Sequence, residues 1–316
     1  MTQKPILTVT LNPALDISTE APEVTPEVKL RCAAPSFDPG GGGINISRAI
    51  AIMDGQSRPL VALGGHTGLR MARMLADLGL DPITLPAPGE TRQSVAVTDA
   101  SNNQQYRFTM PGPAWSDSFV TRSLDAIAEN APADGFIVLS GSNPPGVPHD
   151  YAASLAKRLS GSAAHLFADT SGPALSELAG GGYNIALLRM DRHEAETLAA
   201  RPLPARADTA AFARSLVKAG AAQSVIVARG SDGNIIATED AAWHAEAAKV
   251  EIVSKVGAGD SFLAGFTLAC ARGMNTQDAL GLAAAMASAA CMTQATALCR
   301  RADVEKLFSE RVITQL

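Results

Sequence analysis

Short apolar runs alternate with longer amphipathic or alanine-rich stretches along most of the chain. Residues 6–10, 59–63, 136–139, 165–168, 185–188 and 224–228 have the length and apolar content of buried strands. Between them, residues 68–78, 116–130, 152–159 and 207–219 read as helices. This alternation predicts an α/β fold, a doubly wound and mainly parallel sheet with helices on both faces. Glycines and prolines fall where such a fold needs turns.

Two segments break the alternation. Residues 16–35 and 90–112 read as extended and partly polar, with Ser94-Val95-Ala96-Val97-Thr98 and Gln105-Tyr106-Arg107-Phe108-Thr109-Met110 flanking a turn-rich stretch at 99–103. They fit a small β-sheet outside the core better than the doubly wound layer. No linker of disordered composition separates the two parts, so residues 1–316 are expected to form one domain carrying an inserted lid. No internal repeat is evident.

Composition narrows the function classes. Of 316 residues, 47% are hydrophobic but only 4% aromatic, which leaves Ala, Leu, Val and Ile to fill the core. A net charge of −5 argues against a non-specific nucleic-acid binder. Cys32, Cys270, Cys291 and Cys299 lack metal-site or disulfide-framework spacing, so buried free thiols are expected. The apolar run near the N-terminus is too short for a secretory signal and no segment is long enough for a bilayer span. A cytoplasmic protein is the expectation.

The most informative stretch is Val256-Gly257-Ala258-Gly259-Asp260-Ser261-Phe262-Leu263-Ala264-Gly265. Small residues opening an apolar helix leave backbone N–H groups free to meet an anion, aided by the helix dipole. Asp260 stands where a carboxylate could take a proton from a hydroxyl as that hydroxyl attacks phosphorus. Taken alone, the same residues also describe a glycine-rich helix cap. A second glycine loop, Pro39-Gly40-Gly41-Gly42-Gly43-Ile44-Asn45, again feeds a helix and ends in an amide that both donates and accepts. There is no GxxxxGK[ST] motif, and the second loop lacks the third glycine of a dinucleotide fingerprint.

With Asn12-Pro13-Ala14-Leu15-Asp16, Lys29-Leu30-Arg31-Cys32, Thr91-Arg92-Gln93, Gln105-Tyr106-Arg107-Phe108 and Ser140-Gly141-Ser142-Asn143-Pro144-Pro145-Gly146, these motifs follow one another in a fixed order over essentially the whole chain. In that order they resemble the ribokinase-like sugar kinases, and among them the minor 6-phosphofructokinases of bacteria. The resemblance implies an ATP- and Mg²⁺-dependent kinase that phosphorylates the 1-hydroxyl of fructose 6-phosphate. It makes Asp260 the base and gives the N–H groups around Gly257, Ala258 and Gly259 the transferring phosphoryl group. Asp16, Gly41 and Asn45 would hold sugar hydroxyls, while Lys29, Arg92, Ser142 and Arg107 would face the existing phosphate. It also implies a donor loop at Gly230-Ser231-Asp232-Gly233 and a magnesium network, acting through water, at Asp169 and Glu194. The lid would cover the sugar and form a homodimer contact, with apolar Val95, Val97, Phe108 and Met110 needing cover.

Departures from the family pattern all lie on the donor side. Arg189-Met190-Asp191-Arg192-His193-Glu194 stands where relatives have Lys-Pro-Asn-x-x-Glu, and Ala228 where a Ser or Thr is usual. Lys255 replaces a threonine, and Thr293-Gln294-Ala295-Thr296 replaces an Asn-Gln-Gly-Thr-like run. Arg189 and Lys255 could supply replacement cations, with Asp191 an added metal ligand; a decayed donor site, leaving a sugar-phosphate sensor, is the other reading. Glycine throughout 40–43, where 1-phosphofructokinases carry a lysine, favours the 6-phosphate substrate over fructose 1-phosphate, with tagatose 6-phosphate a further alternative.

Overall fold

A computed structural model describes residues 2–294 and 297–316. In chain order the strands are β1 (Ile6–Thr10), β2 (Ala14–Ala21), β3 (Ser36–Gly40), β4 (Arg58–Leu63), β5 (Ile83–Pro86), β6 (Arg92–Asp99) and β7 (Gln104–Thr109). They continue with β8 (Phe136–Ser140), β9 (His165–Asp169), β10 (Leu187–Asp191), β11 (Ser224–Ala228), β12 (Asn234–Ala237), β13 (Ala242–Ala245) and β14 (Ile313–Gln315). The main sheet runs β14-β13-β12-β11-β10-β9-β8-β1-β4-β5, parallel from β5 to β11 and antiparallel beyond.

Period-2 burial explains the two faces. Leu7, Val9 and Ile137 point into one core with the helices Asp117–Glu129, Tyr151–Arg158, Gly172–Ala179, Arg192–Ala199 and Arg206–Lys218. Ile6, Phe136 and Val138 point into the other, against Gly42–Ile52, Ala258–Ala271, Thr276–Cys291 and Arg301–Ser309. Both faces being covered, the central strands are apolar runs without alternation, which is why they were legible. Each fully buried Leu, Ile or Val stabilises the fold by roughly 1.5–3 kcal/mol relative to exposure.

The sequence-based boundaries shift where polar residues end a strand. The strand expected at 185–188 is β10, Leu187–Asp191, because its last residues carry Arg189 and Asp191 rather than apolar side chains. β5 and the antiparallel β12, β13 and β14 have only three or four residues each and gave no periodic signal.

The second sheet has the order β3-β2-β6-β7. It contains the expected β6–β7 hairpin, but the first predicted segment, 16–35, is extended only in its β2 part: β2 begins earlier, at Ala14, and β3 begins just beyond the segment, at Ser36. Register places Asp16, Asp38, Arg92 and Arg107 on one face. Leu15 and Phe37 on the opposite face pack on Ile44, Val61 and Leu63, which anchors the small sheet to the core. Farther out that face is uncovered: Tyr106, Phe108 and Met110 are 37, 55 and 39% exposed. The expectation of buried thiols holds for Cys299 and fails for Cys32, which is exposed beside the small sheet. No helix among the described residues is long and apolar enough to cross a membrane.

Candidate active site

Two helix N-termini meet beyond the carboxyl ends of the parallel strands. Thr8 Oγ1 shares a hydrogen bond with Ser47 Oγ at 2.8 Å, and Thr10 Oγ1 accepts from the Ile44 amide at 3.0 Å, so β1 fixes the helix that follows the four-glycine loop. That helix, capped at Gly41, presents Asn45, whose Nδ2 donates to Asp260 Oδ2 at 2.8 Å. Gly257 caps the opposing helix with φ +75°, the left-handed region that a side chain disfavours. The Ser261 amide makes the first intrahelical bond, to the Gly257 carbonyl at 2.8 Å. The amides of Gly259 and Asp260 therefore precede it, in the part of a helix that binds anions.

Burial pushes the Asp260 carboxyl up to about 6. The Asn45 hydrogen bond opposes that rise, the Asp169 charge adds to it, and Arg189 opposes it again. A carboxylate tuned in this way suits a base working near neutrality.

Arg189 lies between the carboxylates. Its Nη1 donates to Asp169 Oδ1 at 2.9 Å, and a Cβ added at Gly259 would stand 3.0 Å from its Nη2. The guanidinium thus lies against the first turn of the Asp260 helix. Burial works against its charge, but Asp169, Asp260 and Glu194 together outweigh it and hold the pKa above its ordinary value. Ser140 Oγ donates to Asp169 Oδ2 at 3.2 Å, so both oxygens of this carboxylate are engaged.

Asp191 and Glu194 form a capping box: the Glu194 amide donates to Asp191 Oδ1 and the Asp191 amide to Glu194 Oε2, each at 2.8 Å. The two carboxylates expected near the metal thus have a local structural use as well. Burial raises the Glu194 pKa, with its hydrogen bond to Asp191 opposing. Among the described residues no cluster of three or more His, Cys, Asp or Glu could hold a metal alone. Hard oxygen donors at Asp169 and Glu194 fit magnesium that keeps its waters and arrives on a triphosphate. Gly230 and Gly233 bound a short turn after β11, and Lys255 is exposed near Cys291, where its charge opposes the burial-driven rise of the thiol pKa. The comparison with an Asn-Gln-Gly-Thr-like run lies partly outside the described residues, at Ala295 and Thr296.

On the other side, Asp16 is the third residue of β2. Burial raises its pKa, against the pull of Arg107 and Arg92. Arg92 Nε donates to the Asn12 carbonyl at 3.2 Å, while Asn12 Nδ2 donates to Ser142 Oγ at 3.1 Å, joining three of the quoted motifs. Lys29 is exposed in the stretch between β2 and β3 and is not one of the groups joined by these bonds. Asp38 and Arg48 were missed by sequence reasoning. Arg48 Nη1 donates to Asn45 Oδ1 at 3.4 Å, and its Nη2 lies 3.8 Å from Asp38 Oδ1. Their positions flanking the glycine loop were the available signal.

Residues 10–303 match the pfkB family of carbohydrate kinases. The chain is 37% identical over 303 residues to the ATP-dependent 6-phosphofructokinase isozyme 2 of Mycobacterium tuberculosis, covering 96% of this chain and 88% of that one. To isozyme 2 of Escherichia coli it is 35% identical over 305 residues, covering 96% and 98%. The crystal structure of Escherichia coli phosphofructokinase-2 in complex with fructose-6-phosphate superposes with a TM-score of 0.88 at 34% identity, covering 98% of this chain and 99% of that one.

Proposed function

We propose, from the premise that this chain belongs to the pfkB family of carbohydrate kinases, that it transfers the γ-phosphoryl group of ATP to the 1-hydroxyl of fructose 6-phosphate. The observation that carries this reading is Asp260, held by Asn45 at the amino end of its helix with its pKa raised to about 6. Asp260 takes the proton of the sugar hydroxyl as its oxygen bonds to the γ-phosphorus. The bond from that phosphorus to the bridging oxygen breaks, and ADP carries away the electron pair. The Gly257 and Gly259 amides, with Arg189 beside them, stabilise charge on the moving group; the Ala258 amide donates to the Lys255 carbonyl at 3.4 Å and would join them only on leaving it. Magnesium, when bound with the nucleotide, supplies charge neutralisation, and Asp169 and Glu194 would hold it through water.

Sugar hydroxyls are assigned to Asp16, Gly41 and Asn45, and the 6-phosphate to Arg92 with Ser142, Lys29 and Arg107. The donor side is assigned to Gly230, Gly233, Lys255, Arg189 and Asp191. Glycine at each position from 40 to 43, together with the likeness to two 6-phosphofructokinases, supports fructose 6-phosphate over fructose 1-phosphate. We read the chain as one cytoplasmic kinase domain with a lid. A second copy would cover the exposed face of that lid, since Tyr106, Phe108 and Met110 are apolar and uncovered there.

Calorimetry with a non-hydrolysable ATP analogue separates this kinase from a sugar-phosphate sensor. The kinase binds the analogue when magnesium is present. Binding of fructose 6-phosphate with no nucleotide binding under either condition would leave the sensor.

A further inference from the structure

The turn at residues 230–233 is held from beneath by a set of charged groups that the reaction itself does not use. Arg229 is the centre of this set, with a side chain only 3% exposed. Its Nε donates to Asp232 Oδ2 at 2.7 Å, Nη2 to the Pro204 carbonyl at 2.9 Å, and Nη1 to the Leu203 carbonyl at 3.0 Å and to Thr209 Oγ1. Asp232 Oδ1 also accepts from Arg206, from Nη2 at 2.6 Å and Nε at 2.9 Å. On the third side, His244 Nε2 lies 2.6 Å from the Asp232 carbonyl, and that partner requires Nε2 to carry the proton. His244 is fully buried, and its Nδ1 is then a bare acceptor without a partner among the described residues.

These bonds leave the turn one shape. The Arg229 amide donates to the Gly233 carbonyl at 2.8 Å, and Gly233, at φ +99°, presses against the Ala245 carbonyl where no Cβ would fit. Gly230, by contrast, has open space on the side where a Cβ would project. The braced side faces the protein, and the open side leaves room for a ligand to approach the backbone. The same bonds reach the other donor-side element: the Leu203 amide and Arg192 Nε both donate to Glu196 Oε1 at 2.9 Å, within the helix that begins at the Asp191–Glu194 capping box.

We propose that Arg229, with Arg206 and His244, is a positioning residue for the phosphoryl donor. It presets the 230–233 turn and ties that turn to the helix carrying Glu194. Ala228, two residues before Gly230, has no hydroxyl with which to organise the turn, and the adjacent guanidinium does so through Asp232 instead. Preorganisation of this kind lowers the ordering cost of nucleotide binding and leaves the sugar side untouched.

This inference rests on the kinase reading above. The test is calorimetric binding of magnesium-AMP-PNP and of fructose 6-phosphate, measured separately on wild type, Arg229→Leu, Arg229→Lys and Arg206→Gln, with thermal unfolding recorded for each. Arg229→Leu should weaken nucleotide binding about tenfold with sugar-phosphate affinity unchanged, and Arg229→Lys should recover part of the loss. Arg206, 38% exposed, can be replaced without burying an unpaired charge, so Arg206→Gln keeps the test open if Arg229→Leu does not fold. It should weaken nucleotide binding about threefold. Unchanged nucleotide affinity in the folded variants, or equal losses for both ligands, overturns the brace while the kinase reading stands. Absence of nucleotide binding by wild type overturns both.

Discussion

Asn45 and Asp260 lie in the first turns of two different helices and are joined side chain to side chain at 2.8 Å, so the amide assigned to the sugar and the proposed base are fixed relative to each other. Replacing Asp260 by Asn keeps the shape and removes the proton acceptor. Turnover should fall by roughly 10²–10⁴-fold, the usual contribution of a general base, while fructose 6-phosphate still binds. Steady-state kinetics with a parallel binding measurement checks this; turnover within a few-fold of wild type would remove Asp260 from the mechanism.

The pH profile follows from the burial of the same carboxylate, which the Asn45 bond opposes. Asp260 must be ionised to act, and its pKa is raised to about 6, so kcat/KM should decline as pH falls through about 6 and level off above it. The Asn45 hydrogen bond opposes the rise, so in Asn45→Ala the acid limb should move to higher pH. An unmoved limb would show that the kinetics report another group.

Arg92 is held by the Asn12 and Met110 carbonyls at the start of β6, on the face of the small sheet that carries Asp16. Arg92→Ala should raise KM for fructose 6-phosphate much more than KM for ATP, because charge-assisted bonds to the sugar phosphate are lost. Equal changes for both substrates would contradict the assignment.

The Arg189–Asp169 pair is 14% and 16% exposed, and Asp260 lies within its field. Arg189→Met leaves buried carboxylates without their cation and should cost about 3 kcal/mol of stability as well as most of the activity. Denaturant unfolding checks the first effect; a variant as stable as wild type would mean the pair breaks even.

For the proposed dimer, Phe108→Asp places a charge in the exposed apolar face of the small sheet and should yield a weakly active monomer. Light scattering alongside kinetics tests this. A wild-type monomer with full activity would rule the lid contact out.

Much of the architecture was legible because strands buried on both faces carry an unbroken apolar signal. The runs at 6–10 and 224–228 coincide with β1 and β11. The glycine motif located both the cap at Gly257 and the carboxylate at Asp260. Short antiparallel strands such as β13, with only four residues, carry too little periodicity to be seen. Asp191-x-x-Glu194 was read for its charges, yet the same spacing is a capping box, and a carboxylate can serve backbone amides as readily as a ligand. The Arg229–Asp232 brace was hidden because its partners at Leu203, Pro204 and Thr209 come from a distant connection and the first turn of the helix after it, and only tertiary structure brings them together.

The central claim is transfer from ATP to the 1-hydroxyl of fructose 6-phosphate. Its most direct test is a kcat/KM series for purified enzyme with magnesium-ATP against fructose 6-phosphate, fructose 1-phosphate, tagatose 6-phosphate and fructose, with the product identified by phosphorus NMR. The account predicts the highest value for fructose 6-phosphate, with fructose 1,6-bisphosphate formed and free fructose a poor substrate. Preference for fructose 1-phosphate, or no phosphorylation of any of the four, would contradict it.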